Sequence, residues 1–141
     1  MQIDFYVTKT AQKHQAYSLI AKLAEKALAS DQQLYIHCND ENQCQEVDDF
    51  LWSYQDTSFL PHEIIDEQAQ PTTSIHLGWA QHTPAQPDIL LNLAATVPDS
   101  YQAFKRVMEI VYEQPDVQAA CRSHYKFYKT QGFEVKSHNL G

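Results

Sequence analysis

A group of basic and aromatic residues near the carboxyl end of the chain has the chemistry to bind an anion. In the helix predicted after Pro115-Asp116, five residues at i, i+4, i+7, i+8 and i+11 share one outward face: Gln118, Arg122, Tyr125, Lys126 and Lys129. Guanidinium and ammonium donors beside an aromatic ring suit a carboxylate attached to an apolar side chain, such as the end of a peptide. A solvated helix face without a ligand is the alternative, and the pattern leaves both open.

A second segment has the composition of a protein–protein contact. Leu51-Trp52-Ser53-Tyr54 is followed closely by Ser58-Phe59-Leu60-Pro61. Aromatic anchors with little charge between them are enriched at interfaces. Because the same residues could pack into a core, the pattern alone favours neither interpretation.

Residue types that bind metals or hydrolyse bonds occur elsewhere, but without the spacing that such sites use. Zinc ligands usually form pairs about two to four residues apart, whereas five residues separate Cys38 from Cys44 and no second pair follows. No metal site, cofactor or catalytic residue is therefore predicted. The acidic run from Asp40 to Asp49 offers an alternative, paired carboxylates of a small hydrolase or nucleotide-using enzyme, although such runs are usually solvated helix faces.

Glycine is scarce, with three residues in a chain of 141. A phosphate loop or dinucleotide fingerprint needs at least two glycines within about six residues, because the backbone must approach the phosphate closely. Gly78, Gly132 and Gly141 include no such pair. A glycine-rich phosphate loop is therefore excluded.

The net charge of −8 is unevenly distributed along the chain. Residues 1–100 contain four Lys or Arg and fourteen Asp or Glu, whereas residues 101–141 contain six and four, respectively. Proteins that grip DNA through its phosphates need a broad basic surface. We therefore expect only indirect contact with DNA and place any anion site in the carboxyl-terminal third.

Membrane insertion and secretion are not predicted. No stretch approaches the roughly 18 apolar residues of a membrane-spanning helix, and the sequence Met1-Gln2-Ile3-Asp4 has no features of a signal peptide. The three cysteines are odd in number and lack CxxC spacing, which favours reduced thiols in a cytoplasm.

Strands and helices alternate in the predicted secondary structure. Strands are expected at 3–7, 34–38, 73–77, 88–93 and 133–135. One helix is expected over 10–30. Three more are expected to begin after Asp40, which would cap its helix, after Asp99, and after Pro115. The helix after Asp99 would place Phe104, Val107, Met108 and Val111 on one apolar face. This alternation predicts an α/β fold: a single-domain three-layer sandwich over residues 1–141 with a mostly parallel sheet.

The chain resembles the chi subunit of bacterial DNA polymerase III nearly from end to end. The resemblance rests on the order and spacing of Phe5-Tyr6, Leu51-Trp52, Ser58-Phe59-Leu60-Pro61-His62, Asp88-Ile89-Leu90-Leu91-Asn92-Leu93, and Arg122-x-x-Tyr125-Lys126-x-Tyr128-x-x-x-Gly132-Phe133. It implies a fold like that of mononucleotide-binding proteins without the phosphate loop. It also implies a non-catalytic accessory subunit of the bacterial cytoplasm, with nucleotidyltransferase activity belonging to the complex.

The resemblance further implies two partners and the residues that meet them. One is the psi subunit, which ties chi to the clamp loader, and its expected interface is Trp52, Phe59 and Pro61. The other is the acidic, Phe-ended tail of single-stranded DNA-binding protein. Its expected site comprises Arg122, Tyr125 and Lys126, with Val111 as an apolar wall. Gln118 stands where a basic residue can occur in the family, so one charged contact is expected to be missing, and Lys129 would replace it only in part.

Overall fold

A parallel sheet forms the centre of the molecule. The computed structural model describes residues 1–54, 61–65, 73–80, 83–84 and 86–140, which contain seven strands in one sheet. These are β1 (Gln2–Thr8), β2 (Leu34–His37), β3 (His62–Ile64), β4 (Ile75–Gly78), β5 (Ile89–Asn92), β6 (Arg106–Val111) and β7 (Val135–Leu140). Their order is β3-β4-β2-β5-β6-β1-β7, and each neighbouring pair is parallel.

Helices cover both faces of this sheet. The described residues contain α1 (Lys13–Ala29), α2 (Glu41–Ser53) and α3 (Pro115–Thr130). Side chains of α1 and α2 pack in one core cluster, whereas α3 packs in a second cluster with Phe5 and Val107. Every residue of β2, β4 and β5 is buried, as expected for parallel strands enclosed on both faces. The predicted α/β sandwich is confirmed. None of the described helices is long and apolar enough to cross a bilayer.

Helix α2 begins as its sequence predicts. The side chain of Asp40 accepts a hydrogen bond from the Gln43 backbone N–H at 2.8 Å. The Gln43 side chain turns back in the same way, because its Oε1 accepts from the Asn39 N–H at 2.6 Å. Cys44, Val47 and Leu51 face the core.

The prediction of a helix beginning after Asp99 is wrong. Asp99–Ala103 forms a short 3-10 turn, and Arg106–Val111 is strand β6, paired between β5 and β1. Consecutive β6 residues pack alternately, with Val107 in the α3-side cluster and Met108 in the α1-side cluster. Because both faces of the strand are covered, its odd- and even-numbered positions are both apolar. Some of these apolar residues matched the spacing of a helix by coincidence.

Helix α3 is therefore the third helix of the described residues, and its start and end carry the usual sequence signals. Pro115 lies in its first turn, and Gly132 adopts a φ of 93° just after the last turn, a conformation that favours glycine. The closing strand, however, starts at Val135 rather than Phe133. Phe133 instead packs its ring against Tyr101 at 6.0 Å, before the chain pairs with β1.

Candidate functional site

A hollow of about 230 Å³ lies between α3 and the β1–β7 part of the sheet. We call it the Arg122 hollow. Its floor residues come together because the parallel register sets Phe5 beside Ser137 and Val7 beside Val111. The complete lining is Phe5, Val7, Val111, Gln118, Cys121, Arg122, Tyr125 and Ser137.

Four of the six residues predicted for an anionic peptide line this hollow. They are Val111, Gln118, Arg122 and Tyr125. Lys126 and Lys129 lie on the same helix and are exposed, outside the lining. The Lys129 Nζ lies 5.2 Å from the centre of the Tyr125 ring, a cation–π distance that keeps its charge near the hollow.

Arg122 supplies the cationic group of the hollow. Its side chain is exposed, and it forms no ion pair with any residue that the structure describes. A guanidinium in this state can donate two parallel hydrogen bonds to a carboxylate. The remaining lining is mainly apolar, so the hollow joins one cation to a surface suited to a ring or aliphatic group.

Tyr125 is the aromatic wall of the hollow and is held in place by its neighbours. Its ring meets the buried Phe5 ring edge-on, with centroids 5.5 Å apart. Phe5 also contacts Tyr128 edge-on at 6.0 Å. Because Tyr125 is half-buried and packs against Phe5, its ring offers a fixed surface to a ligand.

A buried carboxylate fixes α3 to the sheet beneath the hollow. Glu109, in the middle of β6, is 1% exposed. It accepts hydrogen bonds from His124 at 2.7 Å, from the Tyr128 hydroxyl at 2.7 Å and from Asn92 at 3.4 Å. Since His124 and Tyr128 are both on α3, this carboxylate sets the helix position and hence that of Arg122 and Tyr125.

The protonation of His124 follows from its contacts. Its Nδ1 lies 2.7 Å from the Glu109 carboxylate and its Nε2 lies 2.9 Å from the Ala95 carbonyl oxygen, so both nitrogens face acceptors. Both must donate, which requires the imidazolium form. Burial alone would lower the pKa of His124, but the hydrogen bond and charge of Glu109, with the Ala95 carbonyl, raise it above its usual value.

The second predicted surface is only partly described. Trp52, near the end of α2, is 57% exposed, and its ring lies 4.2 Å from that of His62 at the start of β3. Pro61 is half-buried beside it in sequence. Phe59 lies outside the described residues. Trp52 and Pro61 are thus at one end of α2, away from the Arg122 hollow lining.

One residue near this surface differs from expectation. Asp48 belongs to the acidic 40–49 run, which is usually a solvated helix face, but it is half-buried, with its Oδ1 3.4 Å from His62 Nε2. Burial raises the pKa of Asp48, although His62 and Trp52 oppose that effect. The pairing with β3 draws this side chain inward, a contact that helical spacing alone does not reveal.

Three other carboxylates of the 40–49 run have separate structural partners. Asp40 caps α2, Glu46 pairs with Lys13 at 2.7 Å, and Asp49 accepts from the Gln45 amide at 3.0 Å. Within the described ranges, no group of three or more His, Cys, Asp or Glu is placed to hold a metal ion. Asp40 and Glu46 line one hollow, but each already has a structural partner, which does not favour the hydrolase interpretation.

The three cysteines are free and buried. Cys38 and Cys44 lie close enough that a hydrogen bond between them, together with burial, raises the pKa of Cys38. Burial and the neighbouring Glu109 raise the pKa of Cys121 to about 12. Cys38 and Cys121 are therefore protonated thiols near neutral pH, and all three buried cysteines pack as small hydrophobic core residues.

Comparison with known proteins identifies the family. The sequence model of the family described as "DNA polymerase III chi subunit, HolC" matches residues 1–136. The chain belongs to the DNA polymerase III chi subunit family. A Pseudomonas aeruginosa protein named DNA polymerase III subunit chi is 35% identical over 139 residues, 99% of this chain and 96% of its own length.

Two further chi-family relatives are more distant. The Haemophilus influenzae protein of the same name is 27% identical, with 87% of this chain and 86% of the relative covered. The Escherichia coli K12 protein is 28% identical, with 84% and 82% covered. The resemblance inferred from short segments is confirmed, and the chi family consists of replication-related accessory subunits of a polymerase.

Several lining residues were not predicted from the sequence. Phe5, Val7, Cys121 and Ser137 line the Arg122 hollow without appearing among the expected site residues. Phe5 and Val7 alternate along β1, Ser137 pairs with Phe5 from β7, and Cys121 comes from α3. Such long-range register is not visible in a single segment. The one available signal was Phe5, which is among the residues that carry the family resemblance.

Proposed function

We propose that this chain is a non-catalytic replication adaptor in the DNA polymerase III assembly. Residues 1–141 act as one chi-like domain in the bacterial cytoplasm, bind the psi subunit, and through psi join the clamp loader. The Arg122 hollow binds the acidic carboxyl-terminal tail of single-stranded DNA-binding protein. The contact with DNA is indirect, since a net charge of −8 opposes direct binding to phosphates.

The observation that carries this proposal is an exposed Arg122 at a mainly apolar hollow, with no ion pair to any described residue. The terminal carboxylate of the tail binds the guanidinium, and the final Phe ring enters the hollow between Tyr125, Phe5 and Val111. Lys126 and Lys129 attract the acidic residues that precede the ring. No bond is made or broken, so the site needs binding groups only.

The apolar contact supplies much of the binding free energy. Exposed charge pairs contribute about 0.2 to 1 kcal/mol each, whereas burying a Phe side chain contributes about 1.5 to 3 kcal/mol. A micromolar affinity corresponds to about 8 kcal/mol. Burial of the Phe ring and several weak charge pairs must therefore act together. Loss of the ring contact or of the charge pairs should each lower the affinity measurably.

The direct test replaces Arg122 and measures binding of an acidic, Phe-ended peptide by calorimetry. We expect Arg122→Ala to weaken binding by about tenfold or more, since a hydrogen bond to a charged group contributes about 1.5 to 3 kcal/mol. The melting temperature should stay unchanged because Arg122 is exposed. Lys22→Ala removes an exposed charge from α1 and is the matched control. Equal affinities for wild type and Arg122→Ala would reject the site.

The psi contact has a separate test. We expect Trp52→Ala and Phe59→Ala each to weaken capture of psi by about tenfold or more, because a buried aromatic anchor is often an interface hot spot. Tail-peptide binding should survive in both variants. Pull-down of psi and calorimetry with the peptide, run on the same preparations, separate the two functions. Simultaneous loss of both would show that the replaced side chain supports the fold instead.

A further inference from the structure

A second cavity system lies at the carboxyl edge of the sheet and is unused by the proposed adaptor function. Two hollows, each of about 210 Å³, share four lining residues: Tyr17, Asn39, Gln43 and Tyr112. Because these shared residues make the two hollows neighbours, we treat them together and call them the Asn39 cleft. Cys121 of α3 is the single residue that lines both this cleft and the Arg122 hollow.

The topology of the sheet opens the Asn39 cleft. After β2 the chain enters α2 on one face, and after β5 it passes to the opposite face, where Tyr101 and Phe104 pack in the α3-side cluster. β2 and β5 are neighbours in the sheet. Adjacent parallel strands whose connections leave to opposite faces create a crevice at their carboxyl ends, the usual ligand position in open α/β sheets.

The inner part of the cleft suits a flat aromatic ring. Ala94, Ile110, Val117 and Ala120 supply apolar walls, and the rings of Tyr17 and Tyr112 lie on the side shared with the outer part. This volume is below the roughly 300 to 1,000 Å³ of sites for drug-sized ligands. It fits a small heterocycle better than an extended cofactor.

Two side-chain amides give the cleft a directional polar group. The Asn39 Oδ1 accepts from the Ala95 N–H at 3.0 Å, and the Gln43 Oε1 accepts from the Asn39 N–H at 2.6 Å. These backbone contacts hold both amides in place, and each uses one lone pair of the amide oxygen. Neither NH₂ group has an acceptor in the part of the chain that the structure describes. The cleft thus presents two donors and calls for two neighbouring acceptors on its ligand.

The outer part of the cleft suits hydroxyl groups rather than phosphate. It is lined by Asp40, Asn42 and Glu46, with Lys13 as its cation. Lys13 is already paired with Glu46 at 2.7 Å, so no free cation remains in this lining to neutralise a phosphate. Carboxylates and amides are, by contrast, good acceptors and donors for sugar hydroxyls.

We propose that the Asn39 cleft binds a 6-oxopurine nucleoside without a phosphate. The purine ring lies in the inner part, with its O6 and N7, two adjacent acceptors, facing the Asn39 and Gln43 amide donors. The sugar lies in the outer part, with its hydroxyls near Asp40 and Asn42. An adenine base presents an amino donor in place of O6 and so sets donor against donor. The cleft is a binding site, and no reaction is assigned to it.

Inosine and adenosine are a matched pair of probes, since they differ at position 6 of the purine. We titrate each into ¹⁵N-labelled full-length protein and follow backbone amide shifts. We expect saturable shifts at Asn39, Gln43, Ala95 and Val117, with inosine binding at least about fivefold more tightly than adenosine, because the adenine amino group would face the amide donors without an acceptor. Inosine 5′-monophosphate should bind more weakly than inosine.

Two variants test the same cleft, each with a control. Gln43→Glu keeps the oxygen that accepts from Asn39 and removes the donor, so inosine affinity should fall at least about tenfold. Ala120→Leu fills the inner part and should abolish binding, whereas Ala119→Leu, exposed on the same helix, should not. Retained binding of the acidic peptide to the Arg122 hollow shows that each variant is folded.

Each outcome bears on the proposal. Shifts at the cleft residues, a preference for inosine and loss in Gln43→Glu would support it. It would be overturned if inosine caused no saturable shifts at millimolar concentration, if adenosine bound equally well, or if the phosphorylated nucleoside bound more tightly. The wild-type comparison of inosine with adenosine decides the matter even if Ala120→Leu does not fold.

Discussion

Gln118 and Arg122 lie one turn apart on the wall of the Arg122 hollow, and one of them is neutral. A neutral amide can hydrogen-bond a carboxylate but adds no net charge to the site. The cationic character of the hollow therefore rests on Arg122 alone, while Lys126 and Lys129 act from outside the lining. This arrangement predicts a tail affinity that a single substitution can raise.

We expect Gln118→Lys to strengthen binding of the acidic peptide by about two- to fivefold, in line with the 0.2 to 1 kcal/mol of an exposed charge pair. Calorimetry on wild type and variant measures the change. Ala119→Lys adds the same charge at an exposed position outside the lining and is the control. An equal gain in both variants would attribute the effect to overall charge and contradict a contact at residue 118.

At the level of elements, α3 is held by the buried pair of Glu109 and His124. Burying a carboxylate is costly unless it is paired and hydrogen-bonded. Glu109 meets this condition only through partners on α3 and β5, so removing one partner leaves an uncompensated buried charge. The binding residues of α3 thus depend on a group that does not touch the ligand.

The raised pKa of His124 predicts a pH dependence of stability. The folded state binds this proton more tightly than the unfolded state, whose pKa is about 6.5. Its stabilisation is complete below that value and is lost as pH rises through the higher folded-state pKa. The free energy of unfolding, measured in urea from pH 5.5 to 9, should therefore fall through this window.

The corresponding variant is His124→Ala, which should destabilise the protein by about 3 to 5 kcal/mol because Glu109 is left unpaired. Its stability should no longer fall through the His124 window. His14→Ala removes an exposed histidine from α1 and should keep the wild-type profile. A wild-type profile that persists in His124→Ala would assign the pH dependence to another group.

The sequence predicted well those elements that neighbouring residues determine, and it predicted poorly those that depend on contacts with distant parts of the chain. Asp40 identified the start of α2 because a helix cap depends on a few neighbouring residues, here the hydrogen bond from the Gln43 N–H. The 104–111 segment was predicted as a helix because its burial on both faces comes from α1 and α3, which are distant in sequence. The role of Glu109 was hidden for the same reason.

The residues of the candidate site also differ in whether local spacing or distant contacts bring them together. Arg122, Tyr125 and Gln118 were found because they share one helix face, a property of local spacing. Phe5 and Ser137 were missed because they are opposed only through the β1–β7 register. Sequence reasoning therefore gave the charged and aromatic wall of the hollow and not its floor.

For the whole molecule, charge is segregated between a strongly acidic body and a mildly basic carboxyl-terminal third. An acidic peptide is repelled by the former and attracted locally by Arg122, Lys126 and Lys129. Salt screens both effects, but the Debye length of about 10 Å at 0.1 M leaves contacts within the hollow less screened than long-range repulsion. The two effects oppose each other, so the salt dependence should be shallow.

We expect affinity for the acidic peptide to fall by only about two- to fivefold between 50 and 500 mM salt, less than three independent surface pairs would lose. A peptide with Asn replacing each Asp before the same final Phe should bind more weakly at low salt and change less as salt rises. Calorimetry of both peptides across this series makes the comparison. A decline as steep for the neutral peptide as for the acidic one would contradict the contribution of Lys126 and Lys129, since the terminal carboxylate and its contact with Arg122 are common to both.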